Sequence, residues 1–458
     1  MIEKTARVPQ ETNAGAIQRC IVPSCSAVFD IDERIYVCSR CGGPLEIEIQ
    51  TSVATDAASL REIWHSRRSF ASAEDRSGVW RFRELLPRCD TTRVVSLVEG
   101  NTPLYEAPRC AEYVRLPTLR LKHQGCNPTG SFKDTGMTVA VTQAVLLGAQ
   151  TTICASTGNT AASLAAYSAR AGLQCAILVP QGQITAAKLA QSMDYGTVVC
   201  EIEGNFDDCM RLIQDLGDDP SIYVANSINP FRIEGQKTVA FELLEQCAWR
   251  VPDHVVVPGG NLGNSTALGK GFGELNTLGF IDRLPKLSVI QAEGSAPFAR
   301  LFAEMKSHHG VHAEDPAADL VPEPHPHTLA TAIKIGAPVS WKKSLRAVLR
   351  SGGQVISVSE QEIADAKAMI GRDGIGCEPA SATTVAGIRK LVAAGYIHGD
   401  ESVVAVLTGH ALKDPDYVAN YHRGTLALGT NTIAGAFRNV PKRVAANKSA
   451  ILNVLRSR

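Results

Sequence analysis

Asn127-Pro-Thr-Gly-Ser-Phe-Lys-Asp134 joins a strand-like run at 119–122 to a helical run at 135–147. Ser131 is the expected N-cap of that helix, because its hydroxyl can accept a backbone N–H of the first turn. Lys133 then lies in the first turn, where the positive end of the helix dipole disfavours an ammonium group. An imine-forming lysine needs such a lowered pKa. The plainer alternative is a solvated surface lysine.

Strand-like and helical runs alternate from residue 94 onward, and this alternation predicts an α/β fold with parallel sheets covered by helices. The predicted strands after the Lys133 segment are 151–155, 175–180, 197–202, 254–258, 289–292, 355–358 and 403–408. The predicted helices between them include 159–171, 186–195 and 206–216.

Composition excludes several classes of protein. The chain has 458 residues, 45% of them hydrophobic, which supplies ample material for a large core. Lys+Arg and Asp+Glu both number 46, so bulk charge favours neither a nucleic acid nor a membrane as partner. No apolar run is long enough to predict a membrane span, and the polar N-terminus lacks the apolar core of a secretory signal. Of the 13 cysteines, those scattered through apolar contexts indicate a reducing compartment, so we expect a cytoplasmic protein.

Ala155-Ser-Thr-Gly-Asn-Thr-Ala161 is a second segment that joins a strand to a helix. Backbone N–H groups at a helix N-terminus bind anions, and the hydroxyls of this segment add donors. A substrate carboxylate fits such a site, although an ordinary Ser/Thr-capped helix has the same pattern.

Pro258-Gly-Gly-Asn-Leu-Gly-Asn-Ser265 follows a buried strand-like run directly. Small residues let the backbone approach a phosphate, and successive amides point into one concavity. The segment is neither a P-loop nor a complete dinucleotide fingerprint. The alternative is a tight turn between a strand and a helix.

Two further segments place polar groups after predicted strands. Asn226-Ser-Ile-Asn-Pro-Phe-Arg232 carries an arginine in a predicted loop, which suits a second phosphate, although a surface arginine is as compatible. Leu407-Thr-Gly-His-Ala-Leu-Lys-Asp-Pro415 puts the Thr408 hydroxyl at the carboxyl edge of a sheet, where open α/β sheets bind ligands. His410 could titrate there, but a structural histidine is the more ordinary interpretation.

Four cysteines near the start, Cys20, Cys25, Cys38 and Cys41, have metal-ligand spacing. Their segment is too short to hold a core without a metal. Four thiolates would form a closed structural zinc site rather than a catalytic one. The alternative is four reduced, unbound cysteines.

Together these segments resemble the threonine synthases, within the tryptophan-synthase-β-like (fold type II) pyridoxal-phosphate enzymes. The likeness spans roughly residues 95–425, and the matching pieces occur in the family order. Besides the segments above, they are Glu99-Gly-Asn-Thr-Pro-Leu104, Gly235-Gln-Lys-Thr238, His327-Thr-Leu-Ala-Thr-Ala-Ile-Lys-Ile-Gly336 and Glu378-Pro-Ala-Ser381. The cysteine cluster resembles the zinc ribbon that precedes some members.

The resemblance implies two parallel-sheet α/β domains after a small zinc-ribbon-like segment with four cysteines. The expected organisation has five parts: a tail and ribbon (1–50), the start of a large cofactor domain (51–150), a smaller substrate-side domain (151–240), the remainder of the large domain (241–430) and a C-terminal extension (431–458). A homodimer is the family expectation.

The resemblance also implies residue roles toward pyridoxal phosphate. Lys133 would carry the cofactor as a Schiff base and move protons. Asn159 would contact its 3′-oxygen. Thr408 would hydrogen-bond the pyridine nitrogen and, as a neutral partner, leave that nitrogen largely unprotonated. The cofactor phosphate would lie on Gly260, Asn261, Leu262, Gly263 and Asn264.

For the substrate, the resemblance implies one set of residues at the carboxylate and another at the phosphate. The carboxylate set is Ser156, Thr157 and Thr160, and the phosphate set is Asn226, Ser227 and Arg232. Two departures from the family pattern are Leu262, where alanine is more usual, and Thr135, where arginine is common. Thr135 leaves the local charge at the site open.

The implied activity is that of a carbon–oxygen lyase that converts O-phospho-L-homoserine and water into L-threonine and phosphate. Other reactions on the same fold are alternatives, above all cysteate synthase, which would use phosphoserine and sulfite, and threonine dehydratase. A non-catalytic binding protein built around the ribbon is a rival of a different class, and an intact Lys133 argues against it.

Overall fold

The computed structural model describes residues 15–49, 56–87, 89–182, 186–307 and 319–457, without the side chains of 186–188. Most of the expected N-terminal tail therefore lies outside the described residues. Regular structure in the described part begins at Ala16.

The strands of the described residues are, in chain order, β1 (Ala16–Cys20), β2 (Val28–Asp30), β3 (Leu45–Ile49), β4 (Leu104–Glu106), β5 (Leu119–His123), β6 (Thr151–Ala155), β7 (Gln174–Pro180), β8 (Val198–Ile202), β9 (Ile222–Val224), β10 (His254–Pro258), β11 (Lys286–Ala292), β12 (Val355–Val358), β13 (Val403–Leu407), β14 (Ala427–Leu428) and β15 (Asn431–Thr432). The α-helices are α1 (Ala57–Arg67), α2 (Ala73–Arg76), α3 (Pro108–Val114), α4 (Lys133–Leu146), α5 (Asn159–Ala171), α6 (Ala186–Asp194), α7 (Phe206–Leu216), α8 (Phe231–Gln246), α9 (Gly263–Thr277), α10 (Pro297–Ser307), α11 (Trp341–Ser351), α12 (Glu360–Arg372), α13 (Pro379–Ala393), α14 (Pro415–Arg423) and α15 (Lys448–Arg456).

The larger sheet has six strands in the order β12-β11-β10-β13-β5-β4. All its neighbours are parallel except β4, which runs antiparallel to β5 at the edge. Every residue of β10 and β13 is buried, as expected for central strands covered by helices on both faces. The predicted α/β class with parallel sheets is confirmed.

The smaller sheet has four parallel strands in the order β8-β7-β6-β9. All its strands come from residues 151–224, so the chain leaves the larger sheet after β5 and returns to it at β10. The short strand β9 was not predicted, because Ile222–Val224 is too brief to show a periodic pattern. The domain boundaries given above stay a prediction.

The ribbon-like segment forms a three-stranded antiparallel sheet in the order β2-β1-β3. On one side the Tyr36 hydroxyl accepts the backbone N–H of Val224, at 2.8 Å, on the strand that pairs with β6. On the other side Arg346 of α11 pairs with Glu46 of β3, at 2.6 Å. The segment therefore packs on the α/β part of the chain instead of standing apart from it.

Two local predictions were wrong at the residue level. The Lys133 helix begins at Lys133, two residues earlier than expected, and its N-cap is Phe132 with no side-chain cap. Ser131 therefore precedes the N-cap, and its hydroxyl accepts only a long bond of 3.4 Å from the Lys133 N–H. Arg232 was placed in a loop, but it lies in the first turn of α8.

Among the described residues, no helix is both long and apolar enough to cross a bilayer.

A buried ion pair fastens α8 to the larger sheet. Lys122 on β5 and Glu242 on α8 are both almost fully buried and pair directly. Lys122 also donates to the carbonyl oxygen of Thr102, at 2.6 Å. Glu242 accepts the Thr102 backbone N–H, at 2.8 Å. The pair thus connects α8 to β5 and to the segment that precedes β4.

We predict that Glu242→Gln destabilises the fold by about 3 kcal/mol or more, because it leaves a buried ammonium without its counter-charge. The midpoint of urea unfolding, followed by circular dichroism, should fall clearly. Glu112→Gln, at an exposed position on α3, is the matched control and should shift the midpoint little. Equal midpoints for the two variants would contradict the structural role of this pair.

Candidate active site

The Lys133 segment is joined by backbone hydrogen bonds to the end of β13. The Phe132 N–H donates to the Thr408 carbonyl oxygen, and the His410 N–H donates to the Gly130 carbonyl oxygen, both at 2.9 Å. Gly130 has φ of +85°, and a Cβ added to it would lie 3.0 Å from Cε of Lys413. Any other residue at this position would therefore be strained. These bonds bring Lys133 close to Thr408, although the two residues are far apart along the chain.

Asp134 holds the same segment from inside. Its carboxylate accepts the Thr129 N–H at 2.7 Å and the Ser163 hydroxyl of α5 at 2.6 Å. Burial raises the pKa of Asp134 to about 6, despite these stabilising hydrogen bonds. Asp134 therefore fixes the turn before Lys133 and connects it to α5, which carries another predicted part of the site.

Lys133 has the electrostatic setting that an imine-forming lysine requires. Loss of solvation lowers the pKa of its ammonium group to about 7, and the nearby Arg232 charge contributes to this decrease, while Glu378 opposes both effects. Its Nζ lies 4.0 Å from the centre of the Phe132 ring. The residue as a whole is half-buried.

Asn159 and Thr408 meet on one buried carboxylate. Asn159 Nδ2 donates to Glu378 Oε2 at 2.9 Å, and the Thr408 hydroxyl donates to Glu378 Oε1 at 3.1 Å. Glu378 is the N-cap residue of α13, is almost fully buried, and its pKa is raised by that burial. Two residues with separate predicted roles thus lie against one acidic group near Lys133.

The segment before α5 presents a helix start without a side-chain cap. The helix begins at Asn159, and its N-cap is Gly158. Ser156 Oγ accepts the Gly158 N–H at 3.3 Å, while Thr157 and Thr160 are partly exposed. Free N–H groups with neighbouring hydroxyls form a site suited to a carboxylate.

The Gly260–Asn264 loop leads into α9, which also starts without a side-chain cap. Its N-cap residue, Leu262, has a left-handed backbone with φ of +64°, and its side chain is buried in the core. The departure from alanine therefore adds apolar packing beneath the loop and takes no amide away from it. Asn261 Nδ2 donates to Ser227 Oγ at 3.3 Å, which connects this loop to the predicted substrate-phosphate loop.

Arg232 is buried at the start of α8, close enough for its positive charge to act on Lys133. Its Nη1 donates to the Ala225 carbonyl oxygen at 3.1 Å. Burial lowers the pKa of its guanidinium to about 10. The neighbouring Asn226 is used structurally, because its amide pairs with both the N–H and the carbonyl of Ala155, at 3.0 and 3.2 Å.

Several buried polar atoms in this region have no hydrogen-bond partner among the described residues, although such atoms are normally paired in proteins. They are Arg232 Nε, Gln236 Oε1, Gln124 Nε2 and Asn264 Oδ1. Gln236 lies one turn after Arg232, and its amide lies beside Gly136 of α4 and Gly263 of α9. Unpaired atoms around Lys133 and the Gly260–Asn264 loop fit a polar cofactor and substrate at this place.

The four cysteines of the ribbon form a compact cluster. All four sulfur atoms lie within 4.8 Å of one another. Cys20 Sγ is 3.4 Å from Cys41 Sγ, and Cys25 Sγ is 3.7 Å from Cys38 Sγ. The turn after Cys38 is completed by the N–H of Gly42, which donates to the Cys38 carbonyl at 2.8 Å. The arrangement fits a four-thiolate metal site.

Four residues that had no predicted role also lie at the site. Glu378 and Ser381 stand in a segment that was quoted for the resemblance, but acidic and hydroxyl side chains at a helix start are typical of ordinary capping. Gln236 also stands in a segment quoted for the resemblance, but a glutamine inside a helix is ordinarily a solvated residue. Lys413 donates to Gln191 Oε1 of α6 at 2.6 Å, a contact that only the tertiary fold creates.

The family of pyridoxal-phosphate dependent enzymes matches residues 95–409 of this chain. The chain is 47% identical over 406 residues to a threonine synthase of Methanocaldococcus jannaschii, and the match covers 87% of this chain and 93% of that protein. It is 45% identical over 338 residues to a threonine synthase of Mycobacterium leprae, covering 73% of this chain and 88% of that one.

Solved structures with the same fold include an L-serine ammonia-lyase from Rhizomucor miehei, with a TM-score of 0.59 and 18% identity, covering 71% of this chain and 99% of that one. The processed form of threonine deaminase isoform 2 from Solanum lycopersicum has a TM-score of 0.56 and 18% identity, covering 68% of this chain and 79% of that one. At such identities the likeness concerns the fold alone.

We predict that attachment of pyridoxal phosphate to the cofactor-free protein depends on a group with a pKa of about 7. The neutral amine is the reactive form, so the attachment rate should rise with pH through about 7 and then level off. An ordinary lysine would keep gaining reactivity to about pH 10. Stopped-flow absorbance of the visible cofactor band measures the rate.

Lys133→Ala with an intact circular-dichroism spectrum is the control for this measurement and should show no attachment band. A band that persists in Lys133→Ala would exclude Lys133 as the anchor. A rate that rises up to about pH 10 would exclude the lowered pKa.

Proposed function

Because this chain belongs to the threonine synthases, within the family of pyridoxal-phosphate dependent enzymes, we propose that it converts O-phospho-L-homoserine and water into L-threonine and phosphate. The observation that carries the proposal is the buried Arg232, which has an unpaired Nε and lies close enough to influence Lys133 electrostatically. An amine that binds the cofactor and a buried cation that can bind phosphate are the two groups this substrate needs.

Pyridoxal phosphate, when bound, supplies an electron sink for negative charge on the substrate carbon skeleton. The residues that would hold it are Lys133 at the aldehyde carbon, Asn159 at the 3′-oxygen, Thr408 at the ring nitrogen, and Gly260, Asn261, Leu262, Gly263 and Asn264 at the phosphate. The uncapped start of α9 supports the last assignment, because free N–H groups and the helix dipole both favour an anion there.

Lys133 would act as the proton carrier of the reaction. With a pKa of about 7, its amine can take a proton from substrate Cα at neutral pH and return it later. Its place in the first turn of α4, fixed through Asp134 and the backbone bonds to the end of β13, would keep Nζ on one side of the substrate. Proton transfers at neighbouring carbons can therefore use the same group.

The substrate would be held at its two anionic ends. The start of α5, with Ser156, Thr157 and Thr160, would bind the carboxylate. Arg232 and Ser227 would bind the phosphate, and Asn226 would shape the loop that carries them. Arg232 would stabilise the phosphate as it leaves Cγ, because a guanidinium interacts strongly with a dianion in a site with little water. Once Cβ has lost a proton and the phosphate has left Cγ, a proton would be added at Cγ to form the methyl group. Water would then supply the hydroxyl at Cβ, and a proton would return to Cα, which gives threonine.

The alternatives on this fold are distinguished by the phosphate pocket. A threonine dehydratase needs no buried arginine for its substrate, so Arg232 disfavours it. A cysteate synthase also needs a phosphate pocket, for phosphoserine, and it stays the second candidate. Turnover of O-phospho-L-homoserine compared with phosphoserine plus sulfite separates the two reactions directly.

We predict that Arg232→Ala lowers kcat/KM for O-phospho-L-homoserine by about 100-fold or more, because a buried charge-assisted contact to the leaving group is lost. Slow turnover of unphosphorylated serine or threonine should change by less than about 5-fold, since these substrates do not use that contact. Released phosphate and released keto acid measure the two reactions.

Arg350→Ala, at an exposed position on α11, is the matched control and should leave both reactions unchanged. Arg232→Lys keeps the charge but loses the planar fork, so its effect should be intermediate. Equal losses with phosphorylated and unphosphorylated substrates would reject the phosphate-pocket assignment.

We also propose a structural zinc ion on Cys20, Cys25, Cys38 and Cys41. Clustering of the four sulfur atoms supports it, because tetrahedral thiolate sites are common structural zinc sites. Such a site would fasten a segment that has only a small core of its own.

We further propose a homodimer that acts in the cytoplasm on a small phosphorylated amino acid.

We predict about one zinc per chain after dialysis against a weak chelator, measured by elemental mass spectrometry. Cys41→Ser should lose most of the metal, because one of four ligands is removed. Cys89→Ser, at a half-buried cysteine outside the cluster, is the control and should keep it. Unaltered protein without zinc would disprove the metal site.

A further inference from the structure

The ribbon contacts the α/β part of the chain along one edge of β3. Among the described strands, β3 pairs with β1 alone. On its other edge, the carbonyl oxygen of Leu45 accepts a hydrogen bond from Lys343 Nζ of α11, and the carbonyl oxygen of Ile47 accepts one from Lys270 Nζ of α9. An edge strand presents backbone groups that need partners, and two lysines from the α/β part supply them here.

Lys343 makes this contact from a buried position. The residue is 8% exposed, and burial lowers the pKa of its ammonium group to about 8, while Glu46 of β3 opposes this decrease. The charges of Lys270 and Arg346 lower the same pKa further. Lys343 belongs to no direct ion pair among the described residues, so its hydrogen bond to Leu45 is what holds the ammonium group in place.

The start of α11 also holds the Gly260–Asn264 loop, the proposed site of the cofactor phosphate. The N–H of Ser340, the N-cap residue of α11, donates to the Asn261 carbonyl oxygen at 3.2 Å. One turn later, Ser344 Oγ lies 2.7 Å from Ser265 Oγ in the first turn of α9. The lysine that contacts the ribbon therefore stands between two residues that contact the loop and the helix it leads into.

The ribbon end of this connection is built around the four cysteines. Leu45 is the β3 partner of Cys20, the last residue of β1. The turn from Cys41 to β3 packs on sulfur, because a Cβ on Gly43 would lie 3.2 and 3.3 Å from the Sγ atoms of Cys41 and Cys20. The buried residues of the ribbon's own core are two cysteines, Ala27 and Leu45. So small a core needs a metal on its sulfur atoms to keep β3 in place.

We propose that zinc on the four cysteines and pyridoxal phosphate on the Gly260–Asn264 loop strengthen each other's binding, with Lys343 as the positioning residue that connects β3 to the start of α11. Without zinc, β3 loses its fixed place, and Lys343 loses the carbonyl oxygen that holds it. The start of α11 and the loop that it contacts are then less well ordered for a phosphate. The inference rests on the proposed function, because it requires zinc at the cysteines and the cofactor phosphate at this loop.

A coupling of this kind is reciprocal. If zinc raises the affinity for the cofactor by some factor, the cofactor raises the affinity for zinc by the same factor. Couplings between distinct sites are typically about 5-fold to 150-fold. We expect the low end of that range here, because α11 also packs on the core through Leu345 and Val348 and keeps these contacts without the ribbon.

Lys343→Met tests the connection without altering a cysteine. Methionine keeps an apolar side chain of similar length and removes the ammonium group that reaches the Leu45 carbonyl oxygen. No carboxylate loses its direct ion-pair partner by this change. Lys342→Met is the matched control, because Lys342 is the preceding residue of α11 and is exposed.

The cofactor dissociation constant is measured by absorbance titration of the cofactor-free full chain, with zinc bound and after zinc removal. We expect this constant to rise about 5-fold or more when zinc is removed. Zinc affinity, measured by competition with a chromophoric chelator, should rise by the same factor when the cofactor is bound. With zinc bound, Lys343→Met should bind the cofactor about 2-fold or more weakly than Lys342→Met.

Equal cofactor dissociation constants with and without zinc would overturn the inference and leave the zinc site and the activity intact, as would equal constants for Lys343→Met and Lys342→Met. The two variants are compared with zinc bound, so they decide the question even if the zinc-free protein does not fold. Unaltered protein that binds no zinc would reject the metal site together with the inference. A lack of any Lys133-dependent visible band would instead reject the proposed function, so these failures are distinguishable.

Discussion

Two backbone hydrogen bonds, from Phe132 to Thr408 and from His410 to Gly130, fix the position of Lys133 relative to the end of β13. They join the start of α4 to the carboxyl edge of the larger sheet, although the two segments are far apart in the chain. Since backbone groups make these bonds, side-chain substitution cannot easily remove them. The distance between Lys133 and Thr408 is therefore a property of the fold.

Buried charges near the start of α4 act in opposite directions on the pKa of Lys133. Burial and Arg232 lower the pKa of Lys133, while Glu378 opposes them, so the amine is neutral enough to react near pH 7. Arg232 itself keeps its charge, because a pKa of about 10 lies well above neutral pH. A protein interior weakens screening, so each of these groups affects its neighbours more than it would in water.

The α/β class, most strands and helices, and the segments that meet at the site could all be predicted from the sequence. Prediction failed where a local pattern was too short or ambiguous. Ile222–Val224 is too brief to show periodicity, so β9 was missed. Arg232 was expected in a loop, but Pro230 serves as the helix N-cap and α8 starts directly after it. The pairing of the Asn226 amide with the backbone of β6 is a contact that no local pattern shows.

Residue types and their order along the chain determined which chemical groups this protein possesses: a lysine at a helix start, glycine-rich turns after strands, an arginine after a polar loop and four closely spaced cysteines. Only the tertiary structure decided what each group faces. Glu378 and Ser381 are typical helix-start residues, and their contact with Thr408 arises because α13 packs against the end of β13. Hydrogen-bond direction depends on which partners meet in space, and that information is not present in any single segment of sequence.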